Sequence, residues 1–241
     1  MLYLIGLGLN VDGISTFGLE VVKRCKRVYL ENYTVDFPYS VGELQDIIDK
    51  KIMGADREKV ESLELVDESQ KMDVALLIYG SPLTATTHIS LIQEAKRLGV
   101  KYKVIYGASI IDAVAETGLQ LYKFGKIASM PAWDEEKNFI PDSFMKIVQE
   151  NMSMKAHSLI LVDIGLSFQN ALEQLKESAD NYKIKLGKIV VCQSLGTKYK
   201  KIIYKEVSEL ENYKGIKNPY CIIVPSKLHF MEKEVLEEFE K

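Results

Sequence analysis

The 241-residue chain contains only three cysteines and three histidines, and no two of them stand at metal-ligand spacing from one another. Cys25, Cys192 and Cys221 form no CxxC, which excludes a sequence-local zinc site and any disulfide framework. Cys192 and Cys221 each lie in an apolar run and read as small buried hydrophobes, so a reducing compartment is expected. Charge of one sign is also missing. Lys and Arg number 31 against 34 Asp and Glu, a net charge of −3, which provides no electrostatic footprint for nucleic acid. No apolar run approaches the length of a membrane span. The opening Leu2-Tyr3-Leu4-Ile5 lacks the basic start and long apolar core of a secretory signal. The expectation is a cytoplasmic protein with neither nucleic acid nor membrane as a partner. The chain has no GxxxxGK[ST] loop, no GxSxG elbow and no HExxH, which removes the P-loop, α/β-hydrolase and zincin chemistries. His88, His157 and His229 are each alone in sequence and spell no triad.

What is present is ordinary globular composition, 47% hydrophobic and 27% charged, at a length suited to one large or two medium domains. The first half alternates strand and helix. An apolar run at residues 2–5 ends in Gly6-Leu7-Gly8-Leu9, and a helix with Thr16 as its N-cap carries Leu19, Val22 and Cys25 on one side. Val28-Tyr29-Leu30 reads as a strand, residues 41–51 as a helix and residues 63–66 as a short strand. The run Val74 to Tyr79 is apolar on both faces, as a central parallel strand is. Gly80-Ser81-Pro82-Leu83 breaks it, Thr86 or Thr87 caps a helix bearing Ile89, Ile92, Ala95 and Leu98, and Gly99 closes that helix. A strand over residues 100–106 follows, then Gly107-Ala108-Ser109, with Ser109 as N-cap of a helix from Ile110 to Tyr122 that stops at Gly125.

Alternation of this kind specifies a parallel sheet with helices on both faces and ligands at the carboxyl ends of its strands. Three loops, at residues 6–9, 80–84 and 107–109, share that edge and define a crevice. The second half has more antiparallel character, with strands at residues 158–163, 188–193, 201–205 and 220–225. Helices are expected at residues 143–152 and 168–179, and a charged helix ends the chain. The fold class is therefore α/β with two α/β domains, at residues 1–109 and 110–241: a parallel-sheet N-terminal domain with glycine loops and a mixed-sheet C-terminal domain. Asp163, at the end of an apolar strand, reads as a carboxylate capping neighbouring backbone amides. His157 reads as exposed, His88 as a structural residue in the first turn of its helix, and His229 as a packing or interface residue.

The scarcity of acid-base groups favours a reaction in which positioning supplies most of the rate, such as methyl transfer from an activated sulfonium. The string Gly80-Ser81-Pro82-Leu83-Thr84-Ala85-Thr86-Thr87-His88 resembles the GDPLxATTH motif of the diphthine synthases, within the tetrapyrrole methylase superfamily. Further resemblance lies in Leu4–Leu9 and in Glu31-Asn32-Tyr33-Thr34. It continues in Ala108-Ser109-Ile110, in Thr117-Gly118-Leu119-Gln120-Leu121-Tyr122-Lys123-Phe124-Gly125 and in Val224-Pro225-Ser226-Lys227-Leu228-His229. These matches run in order over nearly the whole chain.

The resemblance implies a tetrapyrrole methylase-like pair of domains holding S-adenosylmethionine in the cleft between them, with S-adenosylhomocysteine as product, usually in a homodimer. It implies methylation of the α-amino group of a 3-amino-3-carboxypropyl-histidine on elongation factor 2, giving diphthine in diphthamide biosynthesis. It also implies donor contacts at Leu9, Ser81, Thr84, Ser109, Ile110, Val162, Leu195 and Tyr220; it names no catalytic residue and no metal. Ser81 departs from the family pattern, which has aspartate there. Competing readings are a tetrapyrrole methyltransferase of the uroporphyrinogen or precorrin type and a non-catalytic S-adenosylmethionine-binding protein. From the glycine loops alone, a nicotinamide-dependent oxidoreductase also comes into view. That last reading is disfavoured because only Glu31 stands near the end of the second strand, where an acidic ribose ligand is needed.

Overall fold

A computed structural model describes residues 1–240, which fall into two compact units, Met1–Ile110 and residues 111 onward. The first is built on five parallel strands, β1 (Leu2–Gly6), β2 (Arg27–Glu31), β3 (Met53–Ala55), β4 (Val74–Ile78) and β5 (Tyr102–Ile105), in the order β3-β2-β4-β1-β5. Every residue of β4 is buried, and the strand's alternation divides them between two cores. Val74, Leu76 and Ile78 join Leu2, Leu4 and Tyr29 on one face, with Val60, Leu65, Leu91, Ile92 and Ala95 above them. Ala75 and Leu77 join Ile5, Val28 and Leu30 on the other, against Val21, Val22, Leu44 and Ile48. The helices supplying those side chains are α1 (Thr16–Arg24) and α2 (Val41–Ile48) on the second face, and α3 (Arg57–Glu61), α4 (Glu64–Ser69) and α5 (Ile89–Arg97) on the first. Each fully buried Leu, Ile or Val contributes about 1.5–3 kcal/mol of transfer free energy, which is the main force holding these layers together.

The second unit carries a mixed sheet, β6 (Ala128–Met130), β7 (Ser158–Val162), β8 (Lys188–Gln193), β9 (Lys201–Glu206) and β10 (Tyr220–Val224), in the order β6-β7-β10-β8-β9. Only β6 and β7 pair in parallel; the other neighbours are antiparallel. Val191, Ile222 and Val224 face a core with Phe144, Met145, Val148, Phe168, Leu172 and Leu175. The last six come from α6 (Ser143–Ser153) and α7 (Phe168–Asn181). Cys192 and Cys221 stand directly opposite each other across β8 and β10, both buried and both free thiols. Among the described residues no helix is long and apolar enough to cross a membrane.

Several local expectations are corrected. Ser15 caps α1, its hydroxyl accepting the Gly18 amide at 3.0 Å, so Thr16 is already inside the helix. Residues 64–69 are helical: Leu63 takes a left-handed φ of 66° and starts α4, while the strand of that region is β3, ten residues earlier. Neither Thr86 nor Thr87 caps α5, because His88 occupies the N-cap and the Thr86 hydroxyl donates instead to the Pro82 carbonyl at 2.8 Å. The long helix expected from Ile110 to Tyr122 is a single turn at Ile110–Ala113 followed by 3-10 turns at Val114–Thr117 and Leu121–Lys123. Gly118, with φ 81°, ends the first of those 3-10 turns; Gly125 has no part in it. A Cβ on Gly118 would lie 2.4 Å from Val235 Cγ1, so close packing as well as the dihedral requires glycine there.

Candidate functional site

The carboxyl ends of the adjacent strands β4, β1 and β5 bring the three glycine loops to one place. Gly8 donates its amide to the Gly80 carbonyl at 3.1 Å and Gly80 returns the bond to Gly8 at 2.9 Å, so two chain segments joined by no strand are sewn together backbone to backbone. The third loop closes on them. A Cβ at Gly6 would stand 2.6 Å from both the Gly107 nitrogen and the Gly80 oxygen, and a Cβ at Gly107 would stand 2.6 Å from the Gly8 nitrogen. No side chain fits at either position. Bare backbone packed this tightly lets a ligand approach main-chain donors and acceptors at short range.

Five of the expected donor residues border this point. Leu9 is buried just past Gly8, and its carbonyl accepts the Tyr79 hydroxyl at 3.1 Å. Ser81 and Thr84 are half-buried in the loop after Gly80, where the Thr84 amide donates to the Ser81 carbonyl at 3.1 Å. Ser109 is buried and Ile110 half-buried beyond Gly107. Tyr79 was not singled out from sequence because it ends an apolar run and reads as one more strand residue. It packs edge-on against Phe37, with ring centroids 5.5 Å apart, and Tyr39 lies beside it. Burial pushes the Tyr79 and Tyr39 phenols well above the ordinary tyrosine range, so both stay protonated.

The loop from Gly80 to His88 has little regular structure and is held by polar ties. His88 is fully buried; its Nδ1 lies 3.1 Å from the Pro82 carbonyl, which also receives the Thr86 hydroxyl. Burial pushes the His88 imidazole below its ordinary pKa, against the opposing pull of the Pro82 carbonyl and the Glu31 charge, which keeps the ring neutral. Glu31 is itself fully buried and committed to its own turn. It accepts the Tyr33 amide at 2.9 Å, the Thr34 amide at 2.7 Å and the Thr34 hydroxyl at 2.7 Å. A carboxylate used in this way does not serve as a ribose ligand, which removes the one residue that kept the nicotinamide reading open.

In the second unit, Val162, Tyr220 and Leu195 gather along one edge of the mixed sheet. Val162 ends β7, Tyr220 begins its antiparallel neighbour β10, and Leu195 lies two residues past the end of β8, whose Gln193 pairs with Tyr220. Val162 is half-buried; Leu195 and Tyr220 are buried, and the Tyr220 hydroxyl donates to the Leu166 carbonyl at 3.1 Å. Asp163 at the same edge accepts the Ala132 amide at 3.1 Å and the Ile164 amide at 3.0 Å, the capping role expected of it.

The same unit contains a polar network that sequence reasoning missed. His157, expected to be exposed, is fully buried. Its Nδ1 accepts the Ser226 amide at 3.0 Å, so the proton sits on Nε2, which donates to Glu232 Oε1 at 3.2 Å. Glu232 also receives the Gln120 amide at 3.0 Å, the His229 amide at 2.7 Å and the Lys123 ammonium. Burial alone would raise the Glu232 pKa, but the His229 amide, Lys123, the Gln120 amide and His157 together hold it down to about 2. Burial pushes His157 below its ordinary range, more than its partner Glu232 raises it. Glu232 belongs to α8 (Phe230–Glu237), whose N-cap is His229. The network therefore ties the stretches Gln120–Lys123 and Ser226–His229 together. The available signal was that both stretches belong to the motifs quoted above, more than 100 residues apart in sequence.

The family model of the tetrapyrrole (corrin/porphyrin) methylases matches residues 1–211, and the chain belongs to that family. Within it the chain resembles the diphthine synthases: it is 36% identical to the diphthine synthase of Methanocaldococcus jannaschii, over 98% of this chain and 97% of that protein. It is also 36% identical to the diphthine methyl ester synthase of Saccharomyces cerevisiae, over 99% of this chain and 89% of that protein. A crystal structure of diphthine synthase superposes with a TM-score of 0.90 at 32% identity, covering 99% of this chain and 95% of that one. The protein is thus a methyltransferase with the two-sheet α/β fold of its relatives.

Proposed function

We propose that this protein transfers methyl groups from S-adenosylmethionine to the α-amino group of a 3-amino-3-carboxypropyl-histidine on elongation factor 2, forming diphthine. The observation that carries the reading is the convergence of Gly6, Gly8, Gly80 and Gly107 at the carboxyl edge of the parallel sheet, in a chain 36% identical over nearly its full length to a diphthine synthase. Bare backbone from three loops meeting at one point suits a folded donor molecule whose amino, carboxylate and hydroxyl groups lie against main-chain donors and acceptors.

The donor supplies a methyl group on a sulfonium, which leaves as a neutral thioether and so needs no acid to help it go. The chain's own part is to bind and align. In the first unit, Leu9, Ser81, Thr84, Ser109 and Ile110 would hold the donor. Ser81 and Thr84 offer hydroxyls, and the loop backbone offers amides and carbonyls that neutral side chains leave unshielded. We further infer a homodimer working in the cytoplasm. The test is to incubate the purified protein with S-adenosylmethionine and elongation factor 2 carrying the aminocarboxypropyl histidine. The expected result is a mass gain on the factor in steps of one methyl group, with S-adenosylhomocysteine released. Donor turnover on uroporphyrinogen with no gain on the factor would instead assign a tetrapyrrole substrate. Donor binding with turnover on neither would leave a binding protein.

A further inference from the structure

The loop that starts at Gly80 ends in a buried polar position left without a full set of hydrogen bonds. His88 forms the N-cap of α5 and is fully buried. A carbonyl can only accept, so the 3.1 Å contact with Pro82 O fixes the proton on His88 Nδ1 and leaves Nε2 as a bare lone pair. Among the described residues, that Nε2 has no hydrogen-bond partner, and the Thr87 side chain acts on the buried hydroxyl of Tyr33 only from beyond hydrogen-bond distance. The two rings meet edge to face with centroids 6.3 Å apart, and the two polar atoms do not reach each other. Buried polar groups are almost always paired, so an acceptor and a hydroxyl left unbonded on two adjacent rings point to a place for a partner.

The chemistry around them specifies that partner. His88 Nε2 accepts only, and Tyr33 Oη both accepts and donates. The Glu31 carboxylate acts on His88 electrostatically and favours positive charge there. The Arg57 guanidinium lies over the Tyr33 ring, 5.5 Å from its centroid, and Glu31, Glu61 and the exposed Thr87 also act on the Tyr33 hydroxyl. The group that fits is a hydrogen-bond donor able to shed a proton. His88 belongs to the same loop as Ser81 and Thr84, nine residues in all from Gly80 to His88.

We propose that His88 Nε2 and Tyr33 Oη form a subsite for a primary amine, and that His88 receives the proton the amine must lose before it is methylated. This rests on the methyltransferase reading above. In the step, an ammonium N–H bond breaks and its proton moves to Nε2, giving an imidazolium that keeps Nδ1–H on the Pro82 carbonyl and faces the Glu31 charge. The freed amine lone pair forms the new N–C bond to the methyl carbon as the C–S bond breaks, its electron pair staying on sulfur. The Tyr33 ring, in the irregular stretch after β2, is the wall that must turn to admit the amine.

The test uses the full chain, with His88→Gln and Tyr33→Phe. A general base contributes about 100-fold or more, so His88→Gln is expected to lower kcat on the modified factor at neutral pH by about 100-fold. Activity should then recover as pH rises and the amine deprotonates unaided, while donor affinity by calorimetry stays within about twofold. Tyr33→Phe, which keeps the ring packing, should raise KM for the factor about fivefold and leave the donor's KM unchanged. A second readout needs no turnover: 2-amino-4-(imidazol-1-yl)butanoate should shift the 15N resonance of His88 Nε2 in the wild type, and less in Tyr33→Phe. Unchanged pH profile and rate in a donor-binding His88→Gln, or no shift of Nε2 with the probe, overturns the subsite and leaves the methyltransferase reading standing. Failure of the wild type to methylate the factor strikes that reading instead, and the resonance shift still decides the subsite.

Discussion

Gly8 and Gly80 exchange both of their backbone hydrogen bonds, at 3.1 and 2.9 Å, although one follows β1 and the other follows β4. Gly107, after β5, closes against both. The first prediction concerns this contact. Gly6→Ala and Gly107→Ala each force a Cβ to within 2.6 Å of backbone that cannot move aside. Overpacking of this kind costs about 3 kcal/mol, and it displaces the atoms that define the cradle. Urea unfolding should show that loss, and calorimetry with S-adenosylmethionine should show donor affinity falling in both variants. Gly99→Ala is the control, because a Cβ there meets open space and only its left-handed φ of 66° costs anything, about 1–2 kcal/mol. Its donor affinity should match the wild type.

The cradle was legible in the sequence because each loop interrupts an apolar run with glycine, and three such breaks on parallel strands must share one edge. Elements without punctuation were not legible. Leu63 to Val66 alternates like a strand, and nothing in its composition announces that Leu63 will adopt φ 66° and open a helix. β3 and β6, three residues each, are too short to show a period. The apolar positions from Ile110 onward suggest a continuous helix, but Gly118 packs against Val235 from a helix more than 100 residues later, and that contact decides where the turn ends. His157 was misjudged for the same reason: its partner Glu232 is 75 residues away. Local chemistry reaches as far as local breaks and caps; long-range pairing is invisible to it.

Ser81 is the residue at which this chain departs from the aspartate of the diphthine synthase motif. Serine keeps a hydrogen bond and gives up a negative charge near the proposed sulfonium donor. Charge-assisted hydrogen bonds contribute roughly twice as much as neutral ones. Ser81→Asp should therefore tighten S-adenosylmethionine binding by about 1 kcal/mol, close to fivefold. S-adenosylhomocysteine, which lacks the positive sulfur, should gain less. Calorimetry on both ligands checks the prediction, and equal gains would place the effect in the hydrogen bond rather than in the charge.

Glu232 is fully buried yet held ionised, with its pKa lowered from the ordinary 4.5 to about 2. The backbone amides of His229 and Gln120, together with Lys123 and His157, make ionisation favourable there. A carboxylate lowered on folding stabilises the protein above its unfolded pKa, and that contribution is lost as pH falls through the folded one. The window is pH 4.5 down to 2, and the shift corresponds to stabilisation on the order of 3 kcal/mol. Glu232→Gln should lower stability by about that amount at pH 7, as read from urea unfolding, and should flatten the decline below pH 4.5.

The two buried histidines act in a higher window. Burial lowers the pKa of both His88 and His157 below the ordinary 6.5, outweighing the Pro82 carbonyl and Glu31 at the first and Glu232 at the second, where Lys123 adds to the lowering. The unfolded chain then binds protons that the folded chain refuses. Stability must fall as pH drops below about 6.5, by at most about 1.4 kcal/mol per pH unit for each histidine. This decline begins two pH units above the Glu232 window, so the two contributions separate in a single titration of urea midpoints from pH 8 to pH 3. His157→Gln preserves an acceptor for the Ser226 amide and a donor for Glu232 while removing one titrating group. It should reduce the slope between pH 6.5 and 5 by up to half and leave the lower window in place. An unchanged slope in that variant would mean that His157 takes up no extra proton on unfolding.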